Sequence, residues 1–286
     1  MGSTQQNVLA CVDGSQSAAS VVDYATWIAA AVDVPLQLLH TIDQAKTPAV
    51  ADLSGSIGLG SQQELLDELT QVEAQRAKLL MRQGKMILDA AKDRVESSSA
   101  VQVSCRQRHG SLTENLIDLE DETRVLVLGI RGESHADGQG GVGHKIESVV
   151  RGLHRPMLVV NQPFQEPKSI LLAYDGSEAA EKALQMVVSS PLLKSLHCHV
   201  VFAGSEEASV APLEKAKNTL EAASVAMNLH RVSDDIAASI ASLQAKYEVD
   251  LTVMGAFSHG RLRDFLWGSV TAKVLENTAK PLLLLR

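Results

Sequence analysis

The chain carries the same succession of strand, turn and helix in each of its two halves. Residues 8–15 match residues 170–177, because each segment is an apolar run that ends in Asp-Gly-Ser before an alanine-rich helical stretch. Residues 125–129 match residues 251–255 in the same way, since each is an apolar run that ends in glycine. Such an internal repeat indicates that one supersecondary plan is used twice.

Pairs of residues later in the chain keep the same order and spacing. Pro156 and Pro281 each precede an apolar run that predicts the final strand of its half. Thirteen positions separate Gly143 from Pro156, and thirteen separate Gly268 from Pro281. Because order and spacing agree, we interpret the chain as two tandem copies of one unit.

Each copy alternates short apolar strands with helices, which is typical of an α/β fold with a doubly wound, open, mainly parallel sheet flanked by helices. Pro163 and Pro167 interrupt both patterns, so we place the first domain at 1–163 and the second at 168–286. The offset between the copies falls from 162 positions to 126, which makes the first copy 36 residues longer. We assign the excess to a helical insertion at about 43–84.

Composition narrows the class of partner. The 286 residues carry a formal net charge of −8, which disfavours binding to nucleic-acid phosphates. The three cysteines are far apart and form no paired motif, as expected for reduced thiols in the cytoplasm. Residues 1–7 lack a signal-peptide pattern, and no apolar run reaches the roughly 20 residues of a membrane span. We therefore expect a cytoplasmic protein without nucleic-acid or membrane partners.

The carboxyl edge of each predicted sheet carries groups that suit a phosphate. Open α/β sheets bind ligands at this edge, where backbone N–H groups of a glycine loop and of the next helix can hold the anion. The candidate loop residues are Gly129, Gly132, Gly143 and His144 in the first copy and Gly255, Ser258, Gly268 and Ser269 in the second. An alternative stays open, in which these glycines only turn the chain and pack a helix on the sheet.

Acidic and histidine residues supply the other candidates. Asp13 and Asp175 follow the first strand of their copies, and each is either a helix cap or a ligand contact. Neither copy has the Gly-Lys-Ser/Thr ending of a Walker A loop, and no partner carboxylate is identifiable, so we assign no catalytic residue. His197 and His199 alternate on a predicted strand, but two ligands are too few for zinc, and we assign no metal site.

These motifs resemble the universal stress protein family over nearly the whole chain, as two family domains in tandem. The resemblance implies the adenine nucleotide alpha hydrolase-like fold, with five strands in each sheet. Nucleotide-binding members carry Gly-x2-Gly-x9-Gly-Ser/Thr, an Asp after the first strand that contacts the adenosine part of ATP, and an adenine contact at the end of the second strand. By this resemblance Asp13 and Asp175 contact adenosine, while Thr41 and Val201 contact adenine.

Each copy departs from the family motif in a different place. In the first copy the spacing is one residue too long, and His144 replaces the terminal Ser or Thr. In the second copy Ser269 and the total spacing are kept, but Ser258 stands where the second glycine belongs. We therefore favour the second copy as the ATP site.

The resemblance implies a stress-response protein that binds ATP, with or without Mg²⁺, or a related adenine nucleotide, and acts as a sensor or switch. One alternative is an interaction module that works through protein partners and keeps its motifs as vestiges. Another is a weak ATPase. The last strand of the family pairs across a dimer, so we expect the strands after Pro156 and Pro281 to pair within the chain as a pseudo-dimer, and whole chains to form homodimers.

Overall fold

The computed structural model describes residues 6–42, 59–130, 132, 144–232, 235–256 and 269–286, without the side chains of residues 59–66, 144, 145 and 269. The first half contains β1 (Asn7–Cys11), α1 (Ala18–Val32), β2 (Leu36–Ile42), α2 (Leu59–Ser98), β3 (Val103–His109), α3 (Leu112–Asp118), β4 (Thr123–Gly129), α4 (His144–Gly152) and β5 (Met157–Val160). The second half contains β6 (Ser169–Ala173), α5 (Glu178–Ser189), β7 (His197–Ala203), α6 (Glu206–Ala222), β8 (Met227–Val232), α7 (Ile236–Tyr247), β9 (Leu251–Gly255), α8 (Ser269–Asn277) and β10 (Leu282–Leu285).

The central strands are buried on both faces. The three middle residues of β1 are buried, and so are those of β6. Because side chains alternate along a strand, Val8 and Ala10 pack into one apolar core while Leu9 packs into the other. Continuous apolar runs are therefore required in these strands, as in parallel sheets that helices cover on both sides.

The strands form one sheet in the order β3-β2-β1-β4-β5-β10-β9-β6-β7-β8. Neighbouring strands are parallel within each half. The halves meet where β5 and β10 run antiparallel, with Leu158 opposite Leu283. The prediction of an α/β fold with mainly parallel sheets flanked by helices is confirmed, and the two five-stranded halves join in a ten-stranded sheet.

Helix α2 is 40 residues long and extends past the end of the predicted insertion. Its C-terminal part packs on the sheet through the buried residues Leu88 and Val95. Arg94 also donates to both carboxylate oxygens of Asp23 on α1, at 2.6 and 2.7 Å. Although α2 is long, neither it nor any other helix among the described residues is apolar enough over a sufficient length to cross a membrane.

The segment between the two halves is docked on the first half. The Phe164 ring meets the Tyr24 ring of α1 edge-on, with 4.8 Å between centroids, and lies 6.3 Å from the Trp27 ring. Asn161 Nδ2 donates to the carbonyl oxygens of Thr278 and Lys280, at 2.8 and 2.9 Å. These contacts fix the chain where it passes from β5 into the second half.

Candidate functional site

The strand order reverses once in each half. In the first half β1 lies between β2 and β4, and in the second β6 lies between β7 and β9. Open α/β sheets bind ligands in the crevice that such a reversal opens at the carboxyl ends of the strands. In the first half Asp13 lies two residues after β1, and Gly129 ends β4. In the second half Asp175 lies two residues after β6, and Gly255 ends β9.

In the first half the loop after β4 comes back to the residue after β1. Asp13 Oδ1 accepts a hydrogen bond from the Ser15 N–H at 3.0 Å. A β-carbon added at Gly132 would lie 3.1 Å from Asp13 Oδ2, which is tighter than an ordinary contact. The structure therefore brings Asp13 and Gly132 together. Gly129 ends β4, and the next residue, Ile130, donates its N–H to the Val160 carbonyl at 2.8 Å.

In the first crevice the Asp13 carboxylate lies close to the Cys11 thiol. Burial raises the pKa of the Cys11 thiol to about 12, and the negative charge of Asp13 adds to this effect. The thiol is therefore neutral beside the carboxylate. A carboxylate only accepts hydrogen bonds, so Asp13 suits a ligand hydroxyl or amine and repels a phosphate.

His40 joins the carboxyl ends of β1 and β2, and sequence reasoning missed it. Its side chain is buried, and Nδ1 hydrogen-bonds the Val12 carbonyl oxygen at 2.9 Å. Gly84 of α2 lies against the ring, because a β-carbon there would be 2.5 Å from His40 Cδ2. The available signal was a histidine inside an otherwise apolar strand, next to the predicted adenine contact at Thr41.

In the second half the Asp-Gly-Ser turn starts a helix. Asp175 Oδ1 accepts from the Ser177 N–H at 3.0 Å, and the Ser177 hydroxyl caps α5 by accepting from the Ala180 N–H at 3.2 Å. Gly176 has a φ of 79°, in the left-handed region that favours glycine. The turn leaves Asp175 exposed at the sheet edge.

Gly255 has a packing role in the second half. A β-carbon at this position would lie 2.6 Å from the Ala179 carbonyl carbon and 2.8 Å from the Ala180 nitrogen. The first turn of α5 therefore sits directly on the end of β9. For this glycine, the alternative of helix packing explains the residue without a ligand.

Thr41 and Val201 are not equivalent positions of the repeat. The Val12 N–H donates to the Leu39 carbonyl, and the Tyr174 N–H donates to the Val201 carbonyl, at 2.9 and 3.0 Å. Val201 therefore corresponds to Leu39, and its side chain is fully buried. The matching was shifted by two residues, because both strands are apolar along their length and their ends look alike.

The remaining predicted residues are placed only in part. Gly143, Ser258 and Gly268 lie outside the described residues. His144 and Ser269 are the first residues of α4 and α8, and their side chains lie outside the description. Each motif thus ends where a helix begins, and the first N–H groups of a helix have no partner within it.

A second cluster near Asp175 was also missed. The Tyr174 hydroxyl donates to Glu181 Oε1, and Lys215 Nζ lies 2.5 Å from the same oxygen. Burial raises the pKa of Tyr174, and its bond to Glu181 raises it further. Although partial burial acts to raise the pKa of Glu181, the hydrogen bonds from Lys215 and Tyr174 lower it overall. The cluster ties α5 to α6 beside the crevice.

The predicted histidine pair, His197 and His199, lies at the start of β7, away from the carboxyl end of that strand. His199 Nδ1 is 3.0 Å from His230 Nε2, and the His199 ring stacks on Tyr247 with 4.8 Å between centroids. His197 Nε2 is 2.6 Å from Asn228 Oδ1. Over the described ranges, no group of three or more His, Cys, Asp or Glu side chains is arranged to hold a metal ion.

Two doubly wound units in tandem, each with an acidic residue beside its switch point, define a class of tandem α/β proteins. The sequence matches the Universal stress protein family over residues 5–161 and 166–286. The Universal stress protein Slr1230 of Synechocystis sp. is 35% identical over 286 residues, which cover 98% of this chain and 100% of that protein. The chain therefore belongs to the universal stress protein family.

Two more distant relatives agree with this assignment. A universal stress protein of Mycolicibacterium smegmatis is 22% identical, over 99% of this chain and 98% of its own length. The crystal structure of a universal stress protein from Archaeoglobus fulgidus superposes with a TM-score of 0.72 at 16% identity. That superposition covers 99% of this chain and 98% of the other, so the fold is shared over the full length.

Proposed function

We propose that this chain binds ATP or a related adenine nucleotide at the carboxyl edge of its units and acts in the cytoplasm as a stress sensor or switch. The observation that carries the proposal is the approach of Gly132 to Asp13 across β4 and β1. A carboxylate and a side-chain-free backbone then face one crevice. Because the two groups are in contact, they suit the same part of a ligand, its hydroxyl-bearing sugar.

The chemistry of the crevice assigns an orientation to the ligand. Asp13 accepts hydrogen bonds, so it suits the ribose hydroxyls. The phosphates belong away from the carboxylate, at the N-terminus of α4 in the first unit and of α8 in the second, where backbone N–H groups and the helix dipole favour an anion. Mg²⁺ would accompany ATP through the phosphate oxygens.

We propose the second unit as the stronger site. Its motif keeps the family length, and α8 begins at Ser269. Asp175 is exposed at the sheet edge, where a ligand hydroxyl can reach it. The packing role of Gly255 is compatible with this, since that glycine seats α5 and leaves the later loop residues to the ligand.

A titration tests the proposal. Isothermal calorimetry with ATP and MgCl₂ should give saturable binding, and Asp175→Ala should weaken it more than Asp13→Ala. Asp121→Ala is the matched control, because that carboxylate is fully exposed and precedes β4, at the opposite end of the strand from the first crevice. Binding that neither crevice variant alters would overturn the site, and no binding at millimolar nucleotide would overturn the function.

Ligand carried through purification gives a second test. Mass spectrometry of small molecules released from the purified chain should detect an adenine nucleotide. Gly268→Val should reduce its amount, because the added side chain displaces a phosphate from the loop backbone. A sensor should release the nucleotide unhydrolysed. If the chain converts more than one equivalent of added ATP to ADP, it is instead a weak ATPase.

The junction of β5 and β10 supports a further part of the proposal. All four residues of each strand are buried, so each would be an apolar edge if it were left unpaired. We propose that the antiparallel pairing makes the two units an intramolecular pseudo-dimer. Separate expression of residues 1–163 should then yield an associating or aggregating fragment.

A further inference from the structure

The outer part of α2 exposes apolar side chains at seven-residue intervals. Val72, Leu79 and Met86 are 61%, 66% and 66% exposed. Seven residues make nearly two helical turns, so these three side chains form one stripe along the helix, which we name the α2 stripe. A stripe of large apolar side chains left in water marks an interaction surface.

The part of the chain that the structure describes leaves most of this segment exposed. From 67 to 83 every side chain of α2 is exposed except Leu69 and Leu80, which are half-buried. Contact with the sheet begins where Gln107 of β3 donates to the Met81 carbonyl oxygen at 3.3 Å, and it continues at Gly84, which lies against His40 and Gln107. The 67–83 segment is therefore roughly 25 Å of helix with free surface on most sides.

Charges divide sharply along the same segment. Its first part is acidic and its second part is basic, with Asp67, Glu68 and Glu73 followed by Arg76, Lys78, Arg82 and Lys85. A helix with this arrangement is complementary to a second copy of itself laid antiparallel. Parallel pairing would instead place acid against acid and base against base.

The sheet offers no apolar edge to a second copy. The apolar strands β5 and β10 are paired with each other inside the chain. The outermost strands of the described sheet are β3 and β8, and both are partly exposed and carry basic residues such as Arg108 and Arg231. The α2 stripe is therefore the surface best suited to self-association.

We propose that residues 67–83 of α2 pair antiparallel with the same segment of a second copy and so form a homodimer. Val72 and Leu79 of the two α2 stripes then bury each other. Glu68 and Arg82 are each seven residues from Gln75. With Gln75 near the two-fold axis, Glu68 of each chain faces Arg82 of the other, in the flanking positions that set orientation in paired helices.

Sedimentation velocity tests the stripe. The full chain should sediment with twice the 30.6 kDa mass of one chain. The double variant Val72→Ser, Leu79→Ser should shift it to a single mass. Met81→Ser is the matched control, since Met81 is 50% exposed on the same helix and points roughly 200° away from Leu79. A wild-type chain that stays monomeric at roughly 100 µM would overturn the proposal, whatever else the stripe binds.

Charge reversal tests the antiparallel orientation. Glu68→Arg and Arg82→Glu should each weaken the dimer about tenfold or more, because each places like charges opposite one another. The double reversal should restore the wild-type dissociation constant. Circular dichroism should show unchanged helix content, because both residues are exposed. If the stripe variant leaves the dimer unchanged, another surface is used. If the double reversal dimerises more weakly than both single variants, the helices pair in another orientation.

Discussion

Gly255 at the end of β9 lies so close to Ala179 of α5 that a β-carbon would be 2.6 Å from the Ala179 carbonyl carbon. Real β-carbons do not approach backbone atoms to this distance. The neighbour is the backbone of a helix that is buried at Ala179, Ala180 and Ala183, so it cannot give way as the end of a flexible side chain could. This glycine therefore sets how deeply α5 sits on the sheet.

Gly255→Ala should destabilise the chain by about 2–3 kcal/mol, because the added methyl group pushes α5 off the sheet. Gly132→Ala is the comparison, since its neighbour at 3.1 Å is the movable carboxylate of Asp13. Urea denaturation followed by circular dichroism measures both. Similar losses for the two variants would contradict the separation of a packing glycine from a crevice glycine.

Gly84→Ala should also destabilise the chain, by about 1–2 kcal/mol, because the new methyl group meets the His40 and Gln107 side chains. The better helix propensity of alanine offsets part of this loss. Gln83→Ala is the control, since that side chain is exposed one residue earlier. Thermal unfolding compares them, and a stabilised Gly84→Ala chain would mean that α2 is not seated through this glycine.

Acid should weaken the second half through its histidines. Burial lowers the pKa of His199 below 6.5, helped by the nearby His197, and burial with the Lys246 charge lowers the pKa of His230. The unfolded chain therefore takes up protons before the folded one as pH falls below 6.5. The free energy of unfolding should decrease from pH 7.5 to pH 5, with the histidines neutral in the folded state.

The double variant His199→Gln, His230→Gln should flatten that pH dependence. His109→Gln, at an exposed position on the end of β3, is its control and should keep the wild-type slope. Urea midpoints measured in steps across the same range provide the comparison. An unchanged slope in the double variant would assign the dependence to other groups.

The thiols should differ in reactivity. Burial raises the pKa of Cys11 and of Cys198 to about 12 in each case and also raises the pKa of Cys105. Cys105 is nevertheless exposed, whereas Cys11 is half-buried and Cys198 is buried. Ellman's reagent at pH 8 should therefore titrate one thiol rapidly in the folded chain and three in guanidinium chloride. Cys105→Ser should abolish the rapid reaction. Fast labelling of two thiols in the folded chain would show that Cys11 or Cys198 is accessible to the reagent.

Much of the fold could be predicted from the sequence, because both copies of the repeat contain the same short sequence patterns. Apolar runs that stop at glycine or Asp-Gly-Ser predict β1, β4, β6 and β9 directly. The strand order is less visible locally, but parallel strands joined by helices leave few arrangements. Thr41 and Val201 were matched to each other but are not equivalent positions, since strand register depends on pairing with a neighbour.

The candidate site was predictable in part. Asp13 and Gly132 were named from their places after two apolar strands and from the family resemblance, and the structure places them side by side. His40 and the Tyr174 hydroxyl were not found, because their roles depend on contacts between separate strands and helices. The histidine pairing of His199 with His230 was hidden for the same reason, since it joins residues on different strands.

The antiparallel meeting of β5 and β10 has a geometric consequence. All strands of the first half run with β5, and all strands of the second run with β10, so the carboxyl ends of the two halves point to opposite ends of the sheet. The crevices beside Asp13 and Asp175 therefore face away from each other. One small molecule cannot bridge them, and each can fill without crowding the other. Among the described residues, coupling between the crevices can pass through the β5–β10 pairing, with Leu158 opposite Leu283, and through the hydrogen bonds of Asn161 to Thr278 and Lys280.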